Sequence, residues 1–150
     1  MVTLRVERVL VGVDGSSNAR RALEWAIFIG QRFSAELVVV HAVGLLSHLG
    51  DGVSVPSQSH LDELRHAFES IWCAPLVDAG LEHRRLLVDG SPVRVLLDTA
   101  EGEQVDVIVV GSRGVGGFAE LRLGSTSSQV AQHSTRPSLI VAPEPADTGR

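Results

Sequence analysis

Lysine is missing from this chain: all thirteen basic residues are arginine. That removes the P-loop signature GxxxxGK[ST], whose lysine reaches the β- and γ-phosphates, and any Schiff-base chemistry. It also excludes a response-regulator receiver, which needs a lysine near its end and an acidic pair after the first strand. Cysteine is nearly absent. Cys73 stands alone, so there is no internal disulfide and no cysteine-rich metal site. Within ESIWCAPLV it reads as a packing residue on a helix face, with a reactive thiol as the rarer alternative. Long apolar runs are missing too. The longest, from Leu37 to Leu46, contains His41 and Gly44 and is too short to span a bilayer. Arg5, Glu7 and Arg8 interrupt any signal-peptide core in the first ten residues. Positive charge is in deficit, with a net charge of −5, which leaves no large basic footprint for nucleic acid. These absences point to a soluble, cytoplasmic protein whose partners include neither membrane nor nucleic acid.

What the chain does contain suits a packed core. Its 150 residues suffice for one domain of ordinary size. Apolar residues at 44% against 21% charged mark it as globular rather than disordered. Residues 7–14 (ERVLVGVD) read as a buried strand. Residues 17–33 read as a helix with Ala19, Leu23, Ala26, Ile27 and Gly30 on one face, and Ser16 or Ser17 can cap its start. A second buried strand spans 35–42 (AELVVVHA), and residues 43–58 form a long Gly/Ser-rich loop. A second helix is predicted over 59–79, opened by a capping box of Ser59 with Asp62. Residues 81–88 form a third strand whose EHRR polarity suggests a sheet edge. Ser91 followed by Pro92 starts a third helix, running to about residue 101. The most apolar strand covers 105–110. A fourth helix runs from Ser125 to His133, Pro137 breaks the chain, and Ser138 through Ala142 form a last strand. The core then spans about residues 6–143, with 144–150 as a disordered tail.

Strands alternating with helices, each strand almost continuously apolar, predict an α/β doubly wound domain: a parallel sheet with four helices covering both faces. Such sheets bind ligands beyond the carboxyl ends of their strands, where the strand order reverses. In an order 3-2-1-4-5 that point falls between strands one and four. The first ends in VGVDGSS and the fourth in VGSRGVGG, so the two glycine-bearing strand ends would flank the crevice.

The stretch GSRGVGGFAELRLGSTS at 111–127 carries five glycines within fourteen residues. Glycine lets backbone amides approach an anion with no Cβ in the way. Amides at a helix start have no intrahelical partner and carry a partial positive charge. Gly124, Ser125 and Thr126 open the fourth helix and form a natural phosphate seat, to which Ser125, Thr126 and Ser127 can add hydroxyls. Arg113 either supplies the charge that lysine supplies elsewhere or is a solvated loop residue. Asp14 either accepts hydrogen bonds from a nucleoside or caps the following helix. The fragment GVGGFA also fits a dinucleotide fingerprint, but it follows the fourth strand rather than the first. His41, at the end of a buried strand, reads as a satisfied core histidine. The other histidines lack ligand spacing.

The spacing Gly111-x2-Gly114-x9-Gly124-Ser125 matches the nucleotide-binding motif of the universal stress protein family. VLVGVDGS at 9–16, VVVHAV at 38–43, DVIVVGSRG at 106–114 and LGSTSSQVAQHSTRPSLIVAP at 123–143 resemble that family's blocks in order. The resemblance implies a five-stranded parallel sheet in the order 3-2-1-4-5. It implies that Gly12, Val13 and Asp14 contact adenosine and that Ala42 offers backbone to adenine. Val110, Gly111 and Gly114 would line the floor. Gly124, Ser125, Thr126 and Ser127 would hold the phosphates of ATP, ADP or AMP, with Mg²⁺ as a companion. It also implies a homodimer through the strand from Ser138 to Ala142, consistent with an exposed apolar edge needing a partner. Gly116 and Gly117 fall outside the motif spacing, and Glu120 places an acid near the phosphates.

Three functions remain open on these residues. A nucleotide-binding regulatory or sensor module is favoured, because ligand-cradling residues are present and no catalytic set is evident. A slow ATPase would use Asp14 or Glu120 to help hold a metal. A structural dimer would bind no nucleotide. A flavin site would rest on Phe118 alone.

Overall fold

The computed structural model describes residues 2–44, 57–113 and 123–145. Its elements run β1 (Arg8–Gly12), α1 (Ser17–Phe33), β2 (Glu36–Val43), α2 (Gln58–Ala67), β3 (His83–Asp89), α3 (Pro92–Gly102), β4 (Val107–Gly111), α4 (Ser125–His133) and β5 (Ser138–Val141). The five strands pair in parallel in the order β3-β2-β1-β4-β5.

Register explains why the strands read as unbroken apolar runs. Val39, Val11, Val109 and Leu139 stand in one row across the sheet. With Val9, Val13 and Leu37 they face one side, where Ala19, Ala22, Leu23, Ala26 and Ile27 of α1 cover them. Leu10, Val38, Val40, Ile108 and Val110 face the other side, against Val95, Leu96 and Ala100 of α3 and Val130 of α4. Alternate residues are thus buried on opposite faces, so β1, β2 and β4 are almost continuously apolar, with Arg8 and Glu36 at strand starts and His41 near the end of β2. At the β3 edge the residues are only half-buried or exposed, as the polar EHRR run predicts.

Helix starts follow capping chemistry. The Ser16 hydroxyl accepts from the Ala19 amide at 3.1 Å and opens α1. Ser34, in the left-handed region at φ 53°, closes it. Ser91 and Pro92 open α3 as predicted, although the Ser91 side chain makes no capping bond.

The second helix differs from expectation. Its cap is Ser57 rather than Ser59: the Ser57 hydroxyl accepts from the His60 amide. It ends at Ala67 rather than continuing to residue 79. A π-helical turn at Phe68–Trp72 and a 3-10 turn at Ala74–Leu76 follow. Pro75 keeps a regular helix from running on to residue 79, since it has no amide to donate and its ring would clash with the carbonyl four residues back. The buried side chains come from these turns, Phe68, Cys73 and Leu76, while α2 itself buries none. Burial pushes the Cys73 thiol up to about 11, which makes it a packing residue and not a reactive thiol.

Where the strands begin, charges pair. Asp106 accepts from the Glu7 and Arg8 amides at 2.7 and 2.9 Å. Arg84 binds Glu36 at 2.7 Å and also Glu103, and Arg8 reaches Glu36 at 3.5 Å and the Glu103 carbonyl. The Arg84 guanidinium holds the Glu103 carboxyl below its ordinary range. No helix among the described residues is long and apolar enough to cross a membrane.

Candidate functional site

The strand ends that carry the glycines do meet. β1 and β4 are neighbours in the sheet. Beyond β1 the chain turns into α1 on one face, and α4, which follows β4, packs on the other. The opening between them is the switch point where doubly wound sheets hold ligands.

On the β1 side, Gly12 ends the strand beneath Leu96, whose Cδ2 would stand 3.0 Å from a Cβ at that position. Val13 is buried and its backbone is fully committed. Its amide donates to Val40 O at 2.9 Å, and its carbonyl accepts from His41 Nδ1 at 2.7 Å. A carbonyl can only accept, so Nδ1 of His41 carries the proton. Asp14 is half-buried, and its Oδ1 accepts the Ser16 amide at 2.9 Å. The carboxylate therefore shapes the turn that leads into α1. Ala42 lies half-buried near the end of β2, paired with Val88.

On the β4 side, Val110 is buried and Gly111 ends the strand. Gly111 has no room for a side chain: a Cβ there would stand 2.9 Å from Asn18 Cγ. Asn18 is the residue that sequence reasoning missed. Buried in the first turn of α1, it donates to Val141 O at 2.9 Å and accepts from the Arg113 amide at 2.8 Å and the Ser112 hydroxyl at 3.3 Å. One side chain thus ties α1, the end of β4 and the end of β5 together. Its signal was a polar residue next to Ala19 on the apolar face of a helix, where it competes with the backbone unless it has partners elsewhere.

Arg113 is half-buried, and its Nε is enclosed without a hydrogen-bond partner among the described residues, as is Nε of Arg8 at the opposite end of the sheet. Gly114, Phe118 and Glu120 lie outside the described residues. The chain becomes describable again at Leu123. Gly124 takes the cap position of α4, its amide donating to Ser112 O, and no side chain caps the helix. The amides of Ser125, Thr126 and Ser127 therefore begin a helix with no intrahelical acceptor. Ser125 is exposed and Thr126 half-buried. Ser127 is 2% exposed, and its hydroxyl donates to Ser112 O at 2.8 Å, so what it can offer a ligand is its amide.

The arrangement gathers donors: three helix-start amides, the Thr126 and Ser125 hydroxyls and a guanidinium. This is the chemistry of an anion seat. Among the described residues no group of three or more His, Cys, Asp or Glu could hold a metal ion.

The model of the universal stress protein family matches residues 5–142. The chain is 35% identical over 145 residues to the universal stress protein YxiE of Bacillus subtilis, covering 89% of this chain and 97% of that one. Its fold superposes on the universal stress protein UspA from Lactobacillus plantarum with a TM-score of 0.75 at 24% identity, over 93% of this chain and 99% of that one. It superposes on a universal stress protein crystallised in complex with cAMP with a TM-score of 0.73 at 25% identity, over 94% and 100% of the two chains. With the sheet order, the motif-bearing strand ends and these likenesses in agreement, the chain belongs to the universal stress protein family.

Proposed function

We propose that the chain binds an adenine nucleotide, ATP or its relatives ADP and AMP, at the switch point, and that it works in the cytoplasm as a regulatory or sensor module of the stress response. The observation that carries this reading is the start of α4, which no side chain caps and whose Gly124 is tied to Ser112, next to Arg113, at the end of β4. A phosphate supplies the acceptor that these helix-start amides lack. The amides of Ser125, Thr126 and Ser127 would receive the phosphates, with Gly124 keeping the approach open. Asp14 and the backbone of Ala42 would face the nucleoside, over a floor of Gly12, Val13, Val110 and Gly111. Gly114 completes the motif spacing. A neighbour of the same fold that binds cAMP supports the adenine part. Mg²⁺ would come with the phosphates, since its ordinary ligands include phosphate oxygens and water.

The same reading includes a homodimer through Ser138–Ala142. β5 is the outer strand of the sheet. Beside it α1 exposes Trp25 and Phe28, packed edge to face at 5.9 Å, and Arg21 of the same helix donates to Ala142 O. An apolar edge flanked by exposed aromatics is a surface that a second copy would cover.

Thermal unfolding with added nucleotide tests the binding. A ligand at about 100 times its Kd stabilises by about 2.7 kcal/mol. At roughly 2–4 °C per kcal/mol, Tm should rise by about 5–10 °C. No rise with millimolar ATP, ADP or AMP overturns the nucleotide reading and leaves a structural dimer.

A further inference from the structure

The turn from Val13 to Ser16, which would face the nucleoside, is braced from below by residues outside the motif. His41 of β2 holds the Val13 carbonyl at 2.7 Å. Trp72, at the end of the π-helical turn, meets the His41 ring edge to face, with centroids 4.9 Å apart at 80°. Phe68 closes the group, its centroid 6.3 Å from that of Trp72. The same indole lies against Gly15. A Cβ on Gly15 would stand 2.7 Å from indole carbons and 2.9 Å from Nε1, and Gly15 adopts φ +84°. One aromatic side chain therefore touches both the histidine that fixes Val13 and the glycine that turns the chain after Asp14. The π-helical turn is what brings Trp72 there, and such turns recur at functional sites.

We propose that Trp72, with His41, is a positioning residue for the nucleoside end of the site. The role rests on the nucleotide reading given above. Trp72 would set where Asp14 and Gly15 stand without touching the phosphates, which belong to α4 and Arg113 on the far side of the opening. Removing the ring frees Gly15 and loosens the carboxylate of Asp14. The helix start at Gly124, tied to Ser112, stays where it is.

The two ends of the ligand can be read separately by titrating adenosine, ATP and inorganic triphosphate calorimetrically into the full chain. Trp72→Ala should weaken adenosine and ATP by about tenfold, the scale on which supporting residues act on a binding group, and leave triphosphate unchanged. Trp72→Phe keeps a flat ring and should recover most of the loss. In the unliganded protein, hydrogen exchange at the Ser16 amide should accelerate in Trp72→Ala. Should that variant fail to fold, Trp72→Leu keeps apolar bulk without the ring and carries the same expectation. Unchanged adenosine affinity and unchanged Ser16 exchange in a variant with lowered Tm would overturn the role, because Trp72 would then be a core filler only. An equal loss for triphosphate would also overturn it. Wild-type protein that binds none of the three ligands overturns the nucleotide reading and this role with it. Wild-type protein that binds adenosine no better than a folded Trp72→Ala does overturns this role alone.

Discussion

The two ends of the sheet are built from opposite chemistry. Where the strands begin, Arg8, Arg84, Glu36, Glu103 and Asp106 meet, and each charge has a partner of opposite sign or a backbone group. Where β1 and β4 end, charge is sparse and donors dominate: three helix-start amides, the Ser125 and Thr126 hydroxyls and the Arg113 guanidinium. The first end pairs its charges with one another, although Arg8 Nε, like Arg113 Nε, has no hydrogen-bond partner among the described residues. The second, on the nucleotide reading proposed above, takes its counter-charge from the ligand. The polar groups that are settled there, Asn18, Ser112 and Ser127, serve to hold the unsettled ones in place.

Four substitutions bear on that contrast, in falling order of effect. Asn18→Ala should cost most, about 2–3 kcal/mol, because it leaves the Arg113 amide without its acceptor and takes from the Val141 carbonyl one of its two donors, the other being the Ser112 amide. At roughly 2–4 °C per kcal/mol, calorimetry would see Tm fall by about 4–12 °C. A fall within error would mean that water replaces the amide and that the donor end is not braced as described. Arg113→Met should weaken ATP by about tenfold or more, the scale of a charge-assisted hydrogen bond, with the unliganded Tm unchanged. A lowered Tm with unchanged affinity would make Arg113 a structural residue and erase the contrast. Ser127→Ala should cost about 1 kcal/mol of stability and no ATP affinity, since its hydroxyl is already spent on Ser112 O. Lost affinity at constant stability would reassign that hydroxyl to the ligand.

The smallest effect belongs to the opposite end. Arg84 holds the Glu103 carboxyl below its ordinary value, so the stabilisation is fully present above about pH 4.3, the unfolded value. It is lost as pH falls through the folded value. Glu103→Gln should therefore lower stability slightly at pH 7, and the gap to wild type should close in acid and in high salt. A gap that widened below pH 4 would contradict the pairing.

The elements that frame the candidate site were readable because their chemistry is local. A Ser cap, a glycine before a helix start and a run of valines each declare themselves within a few residues, and α1 and α4 begin and end where the sequence places them. Strand order was not readable from periodicity. It depends on which strands neighbour across the sheet, and only the resemblance to a known family supplied it. The second helix was over-extended because apolar spacing continues through Phe68, Trp72 and Leu76, although Pro75 forbids a regular helix there. That error hid the Trp72 and His41 pair, since a tryptophan on a continuous helix would not be placed against Gly15. Asn18 was hidden for a related reason: its partners lie 94 to 123 residues away in the chain.

That last separation has a consequence for the order in which the molecule can be made. The Asn18 bond to Val141 spans almost the whole chain, and contacts so distant in sequence close late. During synthesis the first four strands can emerge and pair before the fifth exists. The brace beneath Gly111 and Arg113 stays unfinished until Val141 has left the ribosome. A chain stalled before β5 would carry every residue of the glycine motif and still lack the Val141 contact that braces Asn18 beneath Gly111 and Arg113.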